Sequence, residues 1–194
     1  MRTFVLNGSP RADGNTAGMA RRFAACLGGP CDMAGVYGLG VEACRACGGC
    51  AGGAGCVVAD GMRAVWRGMD WADCIVLASP LHFSSLSGPL VSLIGRFQAA
   101  WTRFAAGGGA ALADRKRFGV LLATGGAEYA NMFAPARSVA AAAFVSLGVE
   151  FVGMAGIAGL DGGGEAVAKG EEELRALADK VLGRYAALGE SAGS

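Results

Sequence analysis

Apolar and polar positions alternate along the chain in blocks rather than residue by residue. Four short runs rich in Val, Leu, Ile or Phe stand out, at Thr3–Asn7, Cys74–Ser79, Arg117–Thr124 and Val149–Gly153. Continuous apolar runs of this length predict strands buried on both faces. A weaker fifth candidate spans Asp32–Tyr37. Helical patterns fill the gaps, over Thr16–Leu27, Gly61–Trp71, Pro89–Ala105, Met132–Leu147 and Glu165–Leu188. The last shows the plainest helical period, with apolar residues at Leu174, Leu177, Val181, Leu182 and Tyr185. Its first turns carry Glu171, Glu172 and Glu173, which suit the positive end of a helix dipole.

Strand and helix thus alternate five times, which implies an α/β fold. Parallel strands are joined by right-handed crossovers, and helices cover both faces of the sheet. In such sheets a ligand sits outside the C-terminal strand ends, where the strand order reverses. The loops to inspect are therefore 8–15, 80–88 and 124–130. No internal repeat or linker interrupts the chain, so residues 1–194 read as one domain. Gly107–Ala111 is the sole low-complexity patch and reads as a helix-to-strand connection.

Composition narrows the classes. The hydrophobic fraction is 53% and the mean hydropathy +0.41, both raised by Ala and Gly. The uncharged stretch Cys74–Gly95 is long enough to cross a bilayer. Pro80, Pro89, His82 and the serines at 84, 85 and 87 break it into strand, loop and helix start, so no span is expected there. The opening MRTFVLNGSP has too short an apolar run for a signal peptide. Seventeen Lys and Arg against sixteen Asp and Glu give a net charge of +1, favouring neither nucleic acid nor a membrane surface as partner. Seven cysteines, an odd number with four of them inside residues 44–56, argue against a secreted disulfide framework. They point to a reducing cytoplasm with thiolates free for a metal or cluster.

The first loop, Gly8-Ser9-Pro10-Arg11-Ala12-Asp13-Gly14-Asn15-Thr16, lies between a strand and a helix. Ser9 and Thr16 offer hydroxyls, Arg11 a guanidinium, and residues 14–17 the amides of a helix N-terminus, where dipole and unpaired N–H groups favour an anion. The plainer reading is a turn closed by an Asn or Thr cap. There is no Gly-Lys-Ser/Thr ending and no GxGxxG after the first strand, so a nucleoside triphosphate or dinucleotide is disfavoured. A single monophosphate fits better.

Cys44, Cys47, Cys50 and Cys56 follow the spacing Cx2Cx2Cx5C. Two consecutive two-residue gaps let one tight wrap set three thiolates round an inorganic cluster, with the fourth returning after a longer arm. The intervening glycines permit tight turns and leave amides for the sulfides. A structural zinc usually takes two separated pairs, and a metal-free thiol loop is a third possibility. Cys26, Cys31 and Cys74 stand alone. Cys74 opens an apolar strand and reads as core, and Cys26 lies on a helix face.

Ser79-Pro80-Leu81-His82-Phe83 follows the third strand. Pro80 keeps Ser79 extended, and the side chains after it suit one wall of a flat-ring pocket. Pro89 fits the first turn of the next helix. His82 is the only histidine; it is placed near the ligand without a catalytic role. Thr124-Gly125-Gly126 supplies a hydroxyl and amides at the same edge, or a plain turn. Trp66, Trp71 and Trp101 read as packing or interface residues.

Together these segments resemble the NADPH-dependent FMN reductase superfamily and, within it, the iron–sulfur flavoproteins. The resemblance rests on Gly8-Ser9-Pro10-Arg11 with Gly14-Asn15-Thr16, and on the cysteine motif leading into Val57-Val58-Ala59-Asp60. It rests also on Leu77-Ala78-Ser79-Pro80-Leu81-His82-Phe83 with Ser87-Gly88-Pro89 and Arg96. The resemblance implies a flavodoxin-like three-layer sandwich with a five-stranded parallel sheet in the order 2-1-3-4-5. It further implies FMN, a homodimer or homotetramer, and a 4Fe-4S cluster on Cys44, Cys47, Cys50 and Cys56. By the same carry-over Ser9, Arg11, Asn15 and Thr16 hold the phosphate. Pro80, Leu81, His82, Phe83, Thr124, Gly125 and Gly126 line the isoalloxazine. Three residues depart from the family pattern: His82 where tyrosine is common, Gly61 for the second acid of an Asp-Asp pair, and Gly95 for the Asp before Arg96.

Three functional readings follow. In the first, electrons pass through FMN and the cluster, bridging a one-electron donor such as a ferredoxin and another acceptor. In the second, the chain is an NAD(P)H-dependent flavin or quinone reductase without a cluster, NAD(P)H serving as a transient donor. The third is a metal-stabilised binding domain without catalysis.

Overall fold

The expected strands and helices form in a computed structural model of the chain, which describes residues 1–53, 55–160 and 170–191. Strands β1 (Thr3–Asn7), β2 (Cys31–Gly35), β3 (Cys74–Pro80), β4 (Phe118–Thr124) and β5 (Glu150–Ile157) make one sheet, ordered β2-β1-β3-β4-β5. Every pairing is parallel. This is the flavodoxin-like order expected from the sequence. The helices are α1 (Asn15–Leu27), α2 (Met62–Trp71), α3 (Gly88–Gly95), α4 (Gln98–Ala105), α5 (Ala134–Leu147) and α6 (Glu171–Ser191), with a 3-10 turn at Val36–Gly38. The expected helix start at residues 165–169 lies outside the described residues.

Alternation along the strands divides the core into two layers. Phe4, Leu6, Ile75, Leu77 and Leu121 face α2, α3 and α5, meeting Val65, Met69, Leu90, Leu93 and Phe144. Val5, Val76, Ala78, Val120 and Leu122 face α1 and α6, meeting Met19, Phe23, Leu174, Leu177 and Val181. Cys74 belongs to this second layer, as expected, and burial pushes its thiol up to about 12, with the charges of Asp73 and Cys31 adding to the rise. Close packing also explains Gly119. A Cβ there would lie 2.6 Å from the Phe144 ring, so glycine lets α5 settle directly on β4.

Three elements differ from the sequence reading. The edge strand expected over Asp32–Tyr37 covers Cys31–Gly35, and Val36 and Tyr37 enter the 3-10 turn. The stretch Pro89–Ala105 is two helices, separated by a corner at Arg96–Phe97 where both residues are buried. The fifth strand runs on past Gly153 to Ile157, with a register shift against β4 between Gly119 and Val120. Among the described residues no helix is long and apolar enough to cross a membrane.

Arginine and aspartate pairs close the sheet's N-terminal end. Asp73 accepts hydrogen bonds from the Arg2 amide at 2.8 Å and the Arg2 guanidinium at 2.9 Å, and pairs with Arg115. Burial would raise this carboxyl, but the bonds from Arg2 and Arg115 outweigh it and hold it at about 2. Arg117, fully buried, reaches Asp70 at 3.0 Å and Asp114 at 2.5 Å.

Candidate functional site

The C-terminal strand ends place the three singled-out loops side by side. Asn7 ends β1 and its side-chain oxygen accepts the Ser9 amide at 3.1 Å, an Asx turn that starts the first loop. Ser9 in turn accepts the Arg11 amide at 3.2 Å. The Gly8 amide donates to Ala78 O of β3 at 2.7 Å. A Cβ on Gly8 would stand 2.7 Å from Ser87 Oγ and 3.1 Å from Leu90. The first loop therefore packs against the loop after β3 and the start of α3 without room for a side chain.

Gly14 is the residue preceding α1, and no side chain caps the helix. The expected alternative, an Asn or Thr cap, does not form: Asn15 and Thr16 lie inside the first turn. Among the described residues the leading amides of this thirteen-residue helix thus have no side-chain cap, and an uncapped helix end favours an anion. Asn15 is exposed and Thr16 buried. Arg11 is exposed, and its guanidinium forms no ion pair among the described residues.

The buried hydroxyls of Thr16 and Thr124 lie 2.7 Å apart, bridging 108 positions of sequence. Thr124 O also accepts the Leu81 amide at 2.7 Å, and the Gly125 amide donates to Ile157 O at 2.7 Å. Thr16, Pro80, Leu81, Thr124 and Gly125 are thereby tied into one rim. Ser87 Oγ, buried behind Gly8, has no partner among the described residues. Asn7 and the Thr16–Thr124 link have no site role in the sequence reading, and Ser87 enters it only as a loop serine and through the Ser87-Gly88-Pro89 segment.

His82 and Phe83 lie differently. His82 and Ser85 exchange two backbone hydrogen bonds across a two-residue turn, with φ of 51° at Phe83 and 62° at Ser84. Positive φ at both central residues is the geometry of a tight hairpin turn, usually given to Asn and Gly. The Phe83 side chain is fully exposed, so it projects from the rim rather than packing as a wall. Ser84 Oγ meets the Tyr129 hydroxyl at 2.6 Å, joining this turn to the loop after β4. A cleft of about 720 Å³ runs from Asn7, Ser9 and Pro10 along α1 to Tyr37, but residues 80–83 and 124–126 do not line it.

The cysteine loop lies elsewhere. Cys44, Cys47, Cys50 and Cys56 all line one cavity of about 420 Å³, whose far side is Arg96, Gln98, Ala99 and Thr102. Among the described residues no three His, Cys, Asp or Glu side chains gather about a position for a single ion. The four thiols sharing one cavity beside a buried guanidinium fit, in donor chemistry, an anionic thiolate-held group. Arg96 donates to Cys56 Sγ at 3.2 Å and to Asp60 at 2.6 Å. Burial would raise the Asp60 carboxyl, yet bonds from Arg96 and from the Glu42 and Met62 amides, with the Arg96 charge, hold it below the usual carboxylate range.

A parallel sheet in this order, with helices on both faces, defines a flavodoxin-like domain. The family model for NADPH-dependent FMN reductases matches residues 1–156, and the chain belongs to that family. It is a flavin-dependent oxidoreductase. Solved structures share the fold. One is an NAD(P)H:quinone oxidoreductase from Methanothermobacter marburgensis, with TM-score 0.70, 17% identity, 92% of this chain and 94% of the other covered. Another is an FMN-dependent NADH-azoreductase from Bacillus anthracis in complex with FMN, with TM-score 0.66, 13% identity, and coverage of 93% and 99%. RosB with a bound riboflavin-phosphate intermediate aligns at TM-score 0.69 and 14% identity, covering 98% and 81%. No curated protein matches the sequence.

Proposed function

We propose that the chain is an NAD(P)H-dependent reductase that works through bound FMN and passes electrons to a small acceptor of the quinone or azo class. The observation that carries this is the uncapped α1 N-terminus joined through Thr16–Thr124 to the loops after β3 and β4. Helix-terminal amides and an open rim on one strand-end edge support phosphate binding there. The family match and the quinone and azo reductases that share the fold support the same chemistry. When bound, FMN supplies the redox step, exchanging electrons in a pair or singly.

The chain's residues bind and orient. Ser9, Arg11, Asn15, Thr16 and the α1 amides receive the phosphate. Pro80, Leu81, His82, Thr124, Gly125 and Gly126 border the ring, with Phe83 at its outer lip. The whole chain, 1–194, acts as one flavin domain. Homo-oligomers and a cytoplasmic setting complete this reading. No proton-transferring residue is assigned.

A second reading adds a 4Fe-4S cluster on Cys44, Cys47, Cys50 and Cys56, with a ferredoxin-type donor. The shared cavity of the four thiols favours it. The comparisons favour the reductase without a cluster over this cluster-coupled reading. Anaerobic purification with FMN, iron and sulfide counted per chain separates them. One FMN without iron, even after reconstitution, leaves the reductase alone. About four irons and four sulfides per FMN, the count of the cluster's name, establishes the second reading. A chain with tightly held zinc and no flavin overturns both.

A further inference from the structure

Arg96 is the least expected charge in the molecule. It sits at the corner between α3 and α4, with its side chain 1% exposed. A buried guanidinium needs partners for its donors, since an unpaired charge in the interior is costly. Arg96 finds nearly all of them on the cysteine loop and its outgoing limb. Nη1 donates to Glu42 O at 2.9 Å and Asp60 Oδ2 at 2.6 Å. Nη2 donates to Cys56 Sγ at 3.2 Å and Val58 O at 3.3 Å. Nε has no partner among the described residues.

The corner meets the loop at two further points. A Cβ on Gly95 would stand 3.9 Å from Cys44 Cβ, and Cys50 Sγ lies 3.9 Å from Thr102 Oγ1. Residues 95–102 therefore touch the first, third and fourth cysteines of the motif. Asp60 doubles the hold: besides Arg96 it accepts the Glu42 amide at 3.0 Å and the Met62 amide at 3.0 Å. Both ends of the loop, at 42 and 56–60, are thus drawn to one guanidinium. A fork of fixed geometry does this where a single ammonium reaches one or two partners.

We infer that Arg96 is the positioning residue of the four-cysteine set: clamped by Asp60, it closes both ends of the 42–60 loop and fixes Cys56 as an ordered corner of the thiol cavity. This rests on the second reading for the identity of what the thiols hold, but the clamp itself does not. Among the described residues Arg96 has no hydrogen bond to 8–16 or 80–88, so its effect is expected on the cysteine loop. Outer partners of thiolate and imidazole ligands commonly change metal retention by 10–100-fold when altered.

The test uses the full chain purified anaerobically, as wild type, Arg96→Lys and Asp60→Asn, with FMN content as the folding control. Hydrogen exchange of amides in 42–60 is expected to speed up about tenfold or more in both variants. Peptides over 8–16 and 80–87 are expected to exchange as in wild type. After iron and sulfide loading, release of iron to a chelator is expected to be at least about tenfold faster in both variants. The electron paramagnetic resonance signal of the reduced protein is expected to shift in Arg96→Lys, which a purely structural brace would leave in place. Unchanged exchange over 42–60 in both variants overturns the inference, as does unchanged iron release with an unshifted signal. Wild-type protein that takes up no iron sinks the cluster reading alone; accelerated exchange in the variants then still supports the clamp.

Discussion

Asp73→Asn is expected to cost about 2 kcal/mol of stability at pH 7, and to cost progressively less as the solution is acidified. Asp73 is 8% exposed and joins Arg2 and Arg115 where β1, β3 and β4 begin. Its carboxyl is held at about 2 against an ordinary value of 3.8. Each unit of such depression corresponds to about 1.4 kcal/mol. Because the folded value is lower, the contribution is fully present above the unfolded value, and falls away as pH drops from about 4 through about 2. The asparagine keeps the shape but carries no charge, so it lacks this contribution at every pH. Urea unfolding of both proteins at pH 7, 5, 4 and 3 measures it. The gap between them is expected to hold at about 2 kcal/mol down to pH 5 and to narrow visibly by pH 3. In a chain of this length that gap corresponds to roughly 4–8 °C in melting temperature at neutral pH. A gap that stays constant from pH 7 to pH 3, or one below about 0.5 kcal/mol throughout, refutes the argument, since an exposed pair would give the latter.

Three further outcomes follow from the rim. Gly8→Ala places a Cβ 2.7 Å from Ser87 Oγ and 3.1 Å from Leu90; it should weaken FMN binding about tenfold by spreading the loops after β1 and β3, read by flavin fluorescence quenching. Thr16→Val removes one hydroxyl of the buried Thr16–Thr124 pair and strands the other, so unfolding should be easier by about 1–2 kcal/mol in denaturant titration. Replacing Phe83-Ser84 by Asn-Gly supplies the residues that a turn with two positive φ values prefers, and should raise the melting temperature by relieving about 1 kcal/mol of backbone strain. A fall in melting temperature would mean that the Ser84–Tyr129 hydrogen bond, lost with the serine, outweighs the relieved strain.

The sheet was largely legible in the sequence because its central strands are buried on both faces. Thr3–Asn7 and Phe118–Thr124 are covered by helices throughout, so every position is free to be apolar. The edge strand Cys31–Gly35 read faintly, being mostly exposed and carrying Asp32 and Gly35. Gly153 and Gly156 made the fifth strand look finished before it ended. The corner at Arg96–Phe97 carries no proline, and the partner its guanidinium meets there, Asp60, lies 36 positions away. The site divides in the same way. Hydroxyl, glycine and cysteine motifs mark loops locally, so the first loop and the thiol set were visible. The pairing of Thr16 with Thr124, the outward turn of Phe83 and the Arg96 clamp depend on tertiary contact, and local patterning has no access to it.

The central claim concerns flavin chemistry at the strand-end rim, and anaerobic stopped-flow mixing of the FMN-loaded chain with NADPH tests it most directly. The account predicts that absorbance near the flavin band bleaches in a single mixing event without any iron protein, and returns on adding a quinone. Bound FMN that stays oxidised with both NADPH and NADH would contradict it, and would leave the one-electron, cluster-linked reading as the route by which this chain is reduced.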